Sequence, residues 1–538
     1  MAETNPSDII PKWGRFERKF TGSITYANPF QNVQFTVTFT SPSGKYRHVD
    51  GFWDGSNIWR VRFSPDEIGT WAYTTSSNPK DNGLHGQRGT IECGTPVGST
   101  RFEKHGPLQL SENRRHLVHS DGMPFLWLGD TAWNGPLCAT ASEWAYYLRE
   151  RVRQKFTAVQ WVTTQWLAAP NGDVNGNIAF NGIEQISIQP EFFQRLDGYV
   201  EAICRAGLLN VPVMLWAAEW RDAEYNPGAF LPEDQAVALG RYMVARWGAY
   251  PVAWILPGDS DYRAEKAERW KRIGRAVFGD SPHAPVILHP GGMQWNGEEF
   301  RQESWLDILG YQSGHGDDEK TLEWLVSGPP AKDWQIEPIR PFINLEPPYE
   351  YHISYQSNTR ITADFTRRAL YWSLLVSPTA GVTYGGHGVW GWDDGTAPPV
   401  AHPNTGIPLP WKQALMMDAA EQVCYLADLF ESIEWWQLIP APELLESQPG
   451  EQECGRFVTA SKSPEGDLIV VYIPANREIR LKLAGQPDDL SAIWFDPRTG
   501  MRQPAELNEG HVITPAPSDW VLLLGRTVSL PAGQGDRL

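Results

Sequence analysis

Carboxylates, amides and aromatic rings recur at one kind of place in this chain, at or just after short apolar runs. Asp130 and Trp133 follow PFLWLGD (124–130), and Gln165 and Trp166 follow FTAVQWV (156–162). Trp216, Glu219 and Trp220 end or follow LNVPVMLW (209–216), and Asp259 ends PVAWILPGD (251–259). His289 closes APVILHP (284–290), Tyr311 and Gln312 close LDILGYQ (306–312), and Glu346 closes RPFINLE (340–346). Tyr384, His387, Trp390 and Trp392 lie in or after AGVTYGG (380–386). Such a set can protonate a leaving group, bind hydroxyls and stack on a sugar ring. Two carboxylates flanking a glycosidic bond are the minimal set for its hydrolysis. One acts as acid/base and the other as nucleophile when their environments push the two pKa values apart.

Asp259 and Glu346 are the expected pair. The competing reading has either carboxylate tying down a loop through an arginine such as Arg263 or Arg340. Glu219, between Trp216 and Trp220, is the reserve carboxylate and otherwise a substrate contact. Asp130 either caps the following turn or binds a substrate hydroxyl. Trp133, Trp166, Trp216 and Trp390 are expected as stacking walls, and Gln165, His289, Tyr311 and His387 as hydroxyl binders. Gln312 and Tyr384 join the expected substrate contacts. Glu350 reads as a hydrogen-bond partner for a neighbouring Tyr or Arg, and Asp393 and Asp394 read as a solvated turn.

The elements that must hold these residues are legible from periodicity. Eight apolar runs alternate with amphipathic segments such as ASEWAYYLRERVRQK (141–155), PEFFQRLDGYVEAICRAG (190–207) and PEDQAVALGRYMVARWG (232–248). Two of these begin at Pro and end at Gly, as helix boundaries do. Eight βα units predict a (β/α)8 TIM barrel over 101–435, in which working residues sit at the C-terminal strand ends. A doubly wound sheet is the alternative, but LGDTAWNG after the first run is no G-x-G-x-x-G loop. Residues 1–100 and 436–538 read instead as alternating strands, for example VQFTVTFT (33–40) and GDLIVVYIP (466–474). They predict antiparallel β-sandwiches, the first Ig-like, on either side of an α/β barrel.

Composition excludes several classes. Over 538 residues, 46 Lys and Arg against 64 Asp and Glu give a net charge of −18, the wrong sign for a nucleic-acid or anionic-membrane binder. No apolar run approaches the roughly 18 residues of a membrane span. The five cysteines (93, 138, 204, 424, 454) form no C-x-x-C pair, and no H-x-x-x-H or G-x-S-x-G motif occurs. No metal and no cofactor are therefore expected. The first residues, MAETNPSDIIPKWG, show no basic and apolar leader. As it stands the chain reads as cytoplasmic, or as secreted or periplasmic if a signal has been removed. The 26 Trp, nineteen of them within 101–435, exceed what a core of Leu, Ile and Val needs, and suit a carbohydrate partner.

FLWLGDTAW (125–133), WILPGD (254–259), INLEPPYE (343–350) and TYGGHGVWGW (383–392) resemble the signature stretches of the apiosidase-like (β/α)8 glycoside hydrolases. GFWDG (51–55) and RFSPDEIGTWAY (62–73) resemble the β-sandwich fused in front of such barrels, and the last hundred residues resemble the small sandwich, named for collagen binding, that follows them. The resemblance implies Asp259 as acid/base, Glu346 as nucleophile and a retaining double displacement. The implied substrate is an oligosaccharide or glycoside of plant or microbial origin, with a furanoside such as apiose or arabinose among the candidates. One departure stands out. The family usually carries Gly-Gly-Asp before the strand-4 carboxylate, whereas this chain has Pro257-Gly258-Asp259, and Pro fixes φ and removes a donor. Alternatives are a glycosidase or transglycosylase on another sugar, a non-catalytic carbohydrate binder on the same barrel, and an adhesive protein built on the two sandwiches. Oligomeric state and exo or endo action stay open.

Overall fold

The computed structural model describes residues 9–526 except 221, 280–281 and 476–477, so residues 1–8 and 527–538 of the expected outer domains lie outside the described residues. Eight parallel strands form its centre: β1 Trp127–Thr131, β2 Ala158–Val162, β3 Leu209–Leu215, β4 Trp254–Pro257, β5 Val286–Ile287, β6 Leu309–Gln312, β7 Phe342–Glu346 and β8 Gly381–Tyr384. The sheet runs β5-β4-β3-β2-β1-β8-β7-β6, and a parallel bridge from Ile287 to Ile308 joins its two ends. The expected (β/α)8 barrel is the observed one, and each of the eight apolar runs supplies one strand. Every residue of these strands is buried, which is why they read as continuous apolar runs rather than alternating ones.

Helices α1 Ala141–Arg153, α2 Pro190–Arg205, α3 Glu233–Trp247, α4 Ala264–Val277, α5 Glu319–Ser327, α6 Ala363–Leu375 and α7 Asp418–Glu431 surround the barrel. Local signals fix their starts. Thr140 and Glu143 make a reciprocal capping box on α1, Pro190 opens α2, and Asp318 and Thr362 cap α5 and α6. No helix among the described residues is long and apolar enough to cross a membrane.

The N-terminal sandwich packs a five-stranded sheet against a three-stranded one, with Phe39 stacked on Phe63 at 4.1 Å between them. Its pairings are antiparallel except that Ile9–Pro11 runs parallel to Arg88–Gly94. It docks on α2 and α3 through a buried charge cluster: Arg62 and Arg246 both pair with Asp197 at 2.7 Å, and Arg246 reaches Asp54 at 3.0 Å. The C-terminal sheet of six antiparallel strands leans on α6, where Arg367 pairs with Asp519 at 2.7 Å and Tyr371 stacks on Tyr472. Both sandwiches therefore meet the outer helices, and leave the C-terminal strand ends to the barrel's own loops.

Candidate active site

Strand alternation decides which residues reach the barrel mouth. Asp130, last but one in β1, is fully buried and turned outward onto α1, where it accepts hydrogen bonds from Tyr147 and Arg151. Its register partner on β8, Tyr384, is turned the same way and donates to Glu350 at 2.7 Å. Tyr311 also points outward, its ring 5.8 Å from Trp324 on α5. These three residues, expected in the cleft, instead fill the layer between barrel and helices. The reason is period two: in β6 the neighbour of Tyr311, Gln312, takes the inward place. Arg151→Met should strand the Asp130 carboxylate in that layer and cost about 3–5 kcal/mol in denaturant unfolding, with KM of the folded fraction unchanged.

Three further expectations are corrected. Glu219 is exposed and pairs with Lys266 at 2.7 Å, so Glu219→Gln should change kcat/KM by less than about twofold in a steady-state assay, as surface pairs contribute little. Gln165 spends both ends of its amide on the 167–188 loop, accepting from the Ala179 N–H at 2.9 Å and facing the Phe180 carbonyl. His387 donates from Nε2 to the Gly406 carbonyl at 3.0 Å and accepts from Trp390 Nε1 at 3.2 Å, which leaves neither nitrogen for a hydroxyl. Glu350 holds Tyr384 and the Ala419 N–H at the start of α7, in keeping with its reading as a hydrogen-bond partner.

The remaining residues converge. Trp216 follows β3 and packs on Gly258, where a Cβ would lie 2.7 Å from its ring, so the residue before Asp259 must be glycine. Pro257 ends β4, where its missing donor is not needed and its carbonyl faces the His289 N–H at 3.3 Å. Asp259 is half-buried; its Oδ1 accepts from Gln312 Nε2 at 3.0 Å, and the same amide nitrogen donates to the Pro290 carbonyl. The β6–β7 ladder shifts register between Tyr311 and Gln312, setting Gln312 opposite Glu346. Shifts of this kind re-aim side chains.

Glu346 lies between two imidazoles. His315 Nδ1 accepts the Tyr349 N–H at 3.3 Å, which leaves the proton on Nε2, 2.9 Å from Glu346 Oε1. His289 Nε2 approaches Glu346 Oε2 to 3.3 Å without the alignment of a hydrogen bond, and both its ring nitrogens are otherwise unpartnered in a fully buried side chain. Burial alone would raise the Glu346 carboxyl, but the two imidazoles outweigh it and hold the group well below the usual carboxylate range. Asp259 goes the other way. Burial, then the charge of Glu346, push it up to about 7, with His289 pulling back.

Trp133 and Trp216 pack on His289 beside this pair, with Trp166 against Trp216 and Trp390 against His387. Trp133, from the β1 end, reaches across the mouth to His289 on the β5 side at 5.5 Å and to Trp216 at 5.4 Å. Other tryptophans in or after these strands go elsewhere: Trp161 packs on Trp247 of α3, Trp392 stacks on Trp411, and Trp220 is exposed. Sequence reasoning missed His315, Tyr349, His352 and His402. His315 follows β6 by three residues in SGH, and Tyr349 and His352 stand in PPYEYH after β7. Proximity to a strand end was the available signal. Among the described residues no group of three or more His, Cys, Asp or Glu could hold a metal ion. A depression of about 430 Å³ at the starts of α6 and α7, lined by Tyr351, Arg360, Gln413 and Asp418 among others, contains neither Asp259 nor Glu346.

With opposed carboxyls at the ends of β4 and β7 of an eightfold barrel, the comparison with known families is decisive. The model of the apiosidase-like catalytic domain matches residues 111–437. The chain belongs to the apiosidase-like family. As an apiosidase-like protein it is a glycoside hydrolase, and its outer segments match two further models: a domain of unknown function over 9–78, and a domain named for collagen binding in a collagenase over 439–525. None of the curated proteins matches in sequence. A solved glycoside hydrolase family 5 structure from Bacteroides vulgatus aligns with TM-score 0.68 and 21% identity, over 79% of this chain and 94% of its own. A structure described as a glycoside hydrolase aligns with TM-score 0.69 and 21% identity, over 81% and 100%. A third, also from Bacteroides vulgatus, aligns with TM-score 0.69 and 18% identity, over 96% and 100%. At such identities the likeness is one of fold.

Proposed function

We propose that this apiosidase-like protein cleaves the O-glycosidic bond of an oligosaccharide or glycoside with retention of configuration, Glu346 acting as nucleophile and Asp259 as acid/base. The observation that carries the reading is the different setting of two carboxyls in one site: Glu346 lies between His315 and His289, which draw its pKa down, whereas Asp259 meets only the Gln312 amide, and burial and the charge of Glu346 push it up to about 7. Gln312 donates to Asp259 Oδ1, which leaves Oδ2 to carry the proton given to the leaving oxygen. Glu346 Oε2, free of the aligned bond that occupies Oε1, attacks the anomeric carbon as the leaving oxygen departs with that proton. Water then attacks the glycosyl ester, Asp259 takes its proton, and Glu346 leaves. A carboxylate kept ionised beside the reacting centre can supply the attacking oxygen that double displacement requires. Furanosides such as those of arabinose and apiose are the first substrates to try, because the family name points to a branched pentofuranose. A panel of aryl glycosides including pentofuranosides, with proton NMR of the first-formed anomer, tests the proposal. Retained configuration supports it, and an inverted first product would overturn it.

A further inference from the structure

The rings at the barrel mouth form a closed circuit. From Glu346 it passes to His315, which stacks on His352 at 4.4 Å, and His352 meets His387 at 5.2 Å. Burial holds His387 down to about 4 and His352 well below its ordinary value, so these two rings pack, tilted to each other, as neutral imidazoles. His387 lies parallel to Trp390 at 6.3 Å, and Trp390 meets His402 edge-on at 5.0 Å. On the other side Trp166 packs on Trp216 at 4.5 Å, Trp216 on His289 at 6.2 Å, and His289 returns to Glu346. The circuit visits loops after β6, β7, β8, β2, β3 and β5 and so runs once around the mouth. Trp133 crosses inside it from the β1 end to His289. Beside Asn134, which bonds both tryptophans, His402 is the described ring that joins Trp390 to Trp166; it lies 6.5 Å from Trp166 and is carried by the long 393–410 loop.

We infer that His402 is a specificity-determining residue, closing the ring of aromatic side chains so that the site takes a terminal sugar unit and excludes one that continues past the β2–β8 side. This rests on the reading of Asp259 and Glu346 as the reacting pair. The His402 ring is set by the loop: Nδ1 faces the Val400 carbonyl at 3.0 Å, and its own carbonyl accepts from Thr405 Oγ1. A ring held this way acts as a wall by shape, and a wall selects by excluding the longer ligand.

The test compares His402→Ala and His402→Phe with the wild type. One arm measures kcat/KM on the aryl glycoside hydrolysed best and on the same glycoside lengthened by one sugar at its non-reducing end. The alanine variant should raise the ratio of lengthened to short substrate about tenfold or more, while the phenylalanine variant keeps the wild-type ratio. The second arm needs no turnover: hydroxyl-radical labelling read by mass spectrometry should rise severalfold at Trp166 and Trp390 in the alanine variant only. Unchanged ratio and unchanged labelling would overturn the inference. If the wild type cleaves none of the glycosides, the proposed function fails, and the labelling arm alone decides whether His402 closes the ring.

Discussion

Glu346→Gln is expected to lower kcat by on the order of 10⁴-fold or more, because no other group near the anomeric carbon can replace the attacking oxygen. The amide can still accept from His315 Nε2 through its oxygen, so the surroundings of the side chain survive. Intact mass spectrometry of a trapped, slowly hydrolysed glycoside should show a covalent adduct on the wild type and none on the variant. Thermal melting provides the control. The carboxyl of Glu346 lies below its unfolded value, so its ionisation stabilises the fold above the unfolded pKa, near 4.5, and that contribution is lost as pH falls through the depressed folded value. The variant should therefore melt slightly lower than the wild type at pH 7, and the gap should narrow in strong acid. A variant that melts normally and still turns over substrate would move the nucleophile to another residue.

The barrel was readable because fully buried parallel strands are written as unbroken apolar runs, and each run ended near a polar or aromatic residue. What periodicity alone could not settle is which side of the strand each of those residues takes. Asp130, Tyr311 and Tyr384 stand beside inward residues yet face the helices, and one position of register reverses the assignment. Glu346 and Gln312 face each other only because the ladder shifts between Tyr311 and Gln312, a local irregularity with no sequence mark. Gln165 and His387 were misjudged for a different reason: their polar atoms are used up by backbone groups of loops distant in sequence, at Ala179 and Gly406. Long-range satisfaction of that kind depends on the fold itself. The same limit hid His315, whose function comes from a backbone N–H thirty-four residues later that fixes its tautomer. By contrast Trp133, Trp166 and Trp216 do pack on one another, and Asn134 bonds both Trp166 and the Trp390 carbonyl, so part of the tryptophan excess lies in one cluster at the strand ends.

Asp259→Asn is expected to cost about 10²–10⁴-fold in kcat/KM, the usual worth of a positioned proton donor. The loss should be greatest for alkyl glycosides and smallest for nitrophenyl ones, whose leaving groups need little protonation. The wild-type rate should fall as pH rises through about 7, because Asp259 must be protonated to act, and the variant should lose that limb. Added azide should restore turnover of the nitrophenyl glycoside and yield a glycosyl azide of retained configuration, since the small anion can enter where the carboxylate no longer repels it. The stability of the two proteins should part company over the same range. Asp259 has an ordinary value near 3.8 and is pushed up to about 7 in the fold, so the native state binds more protons than the unfolded chain between those limits. Wild-type stability therefore declines as pH rises from about 4 to 7, while asparagine, which keeps the Gln312 hydrogen bond through its oxygen and carries no charge, escapes the decline. The variant should melt a few degrees above the wild type at pH 8 and close to it at pH 4. Equal melting at both pH values would mean that Asp259 is not held protonated by its surroundings, and the acid role would then need another donor.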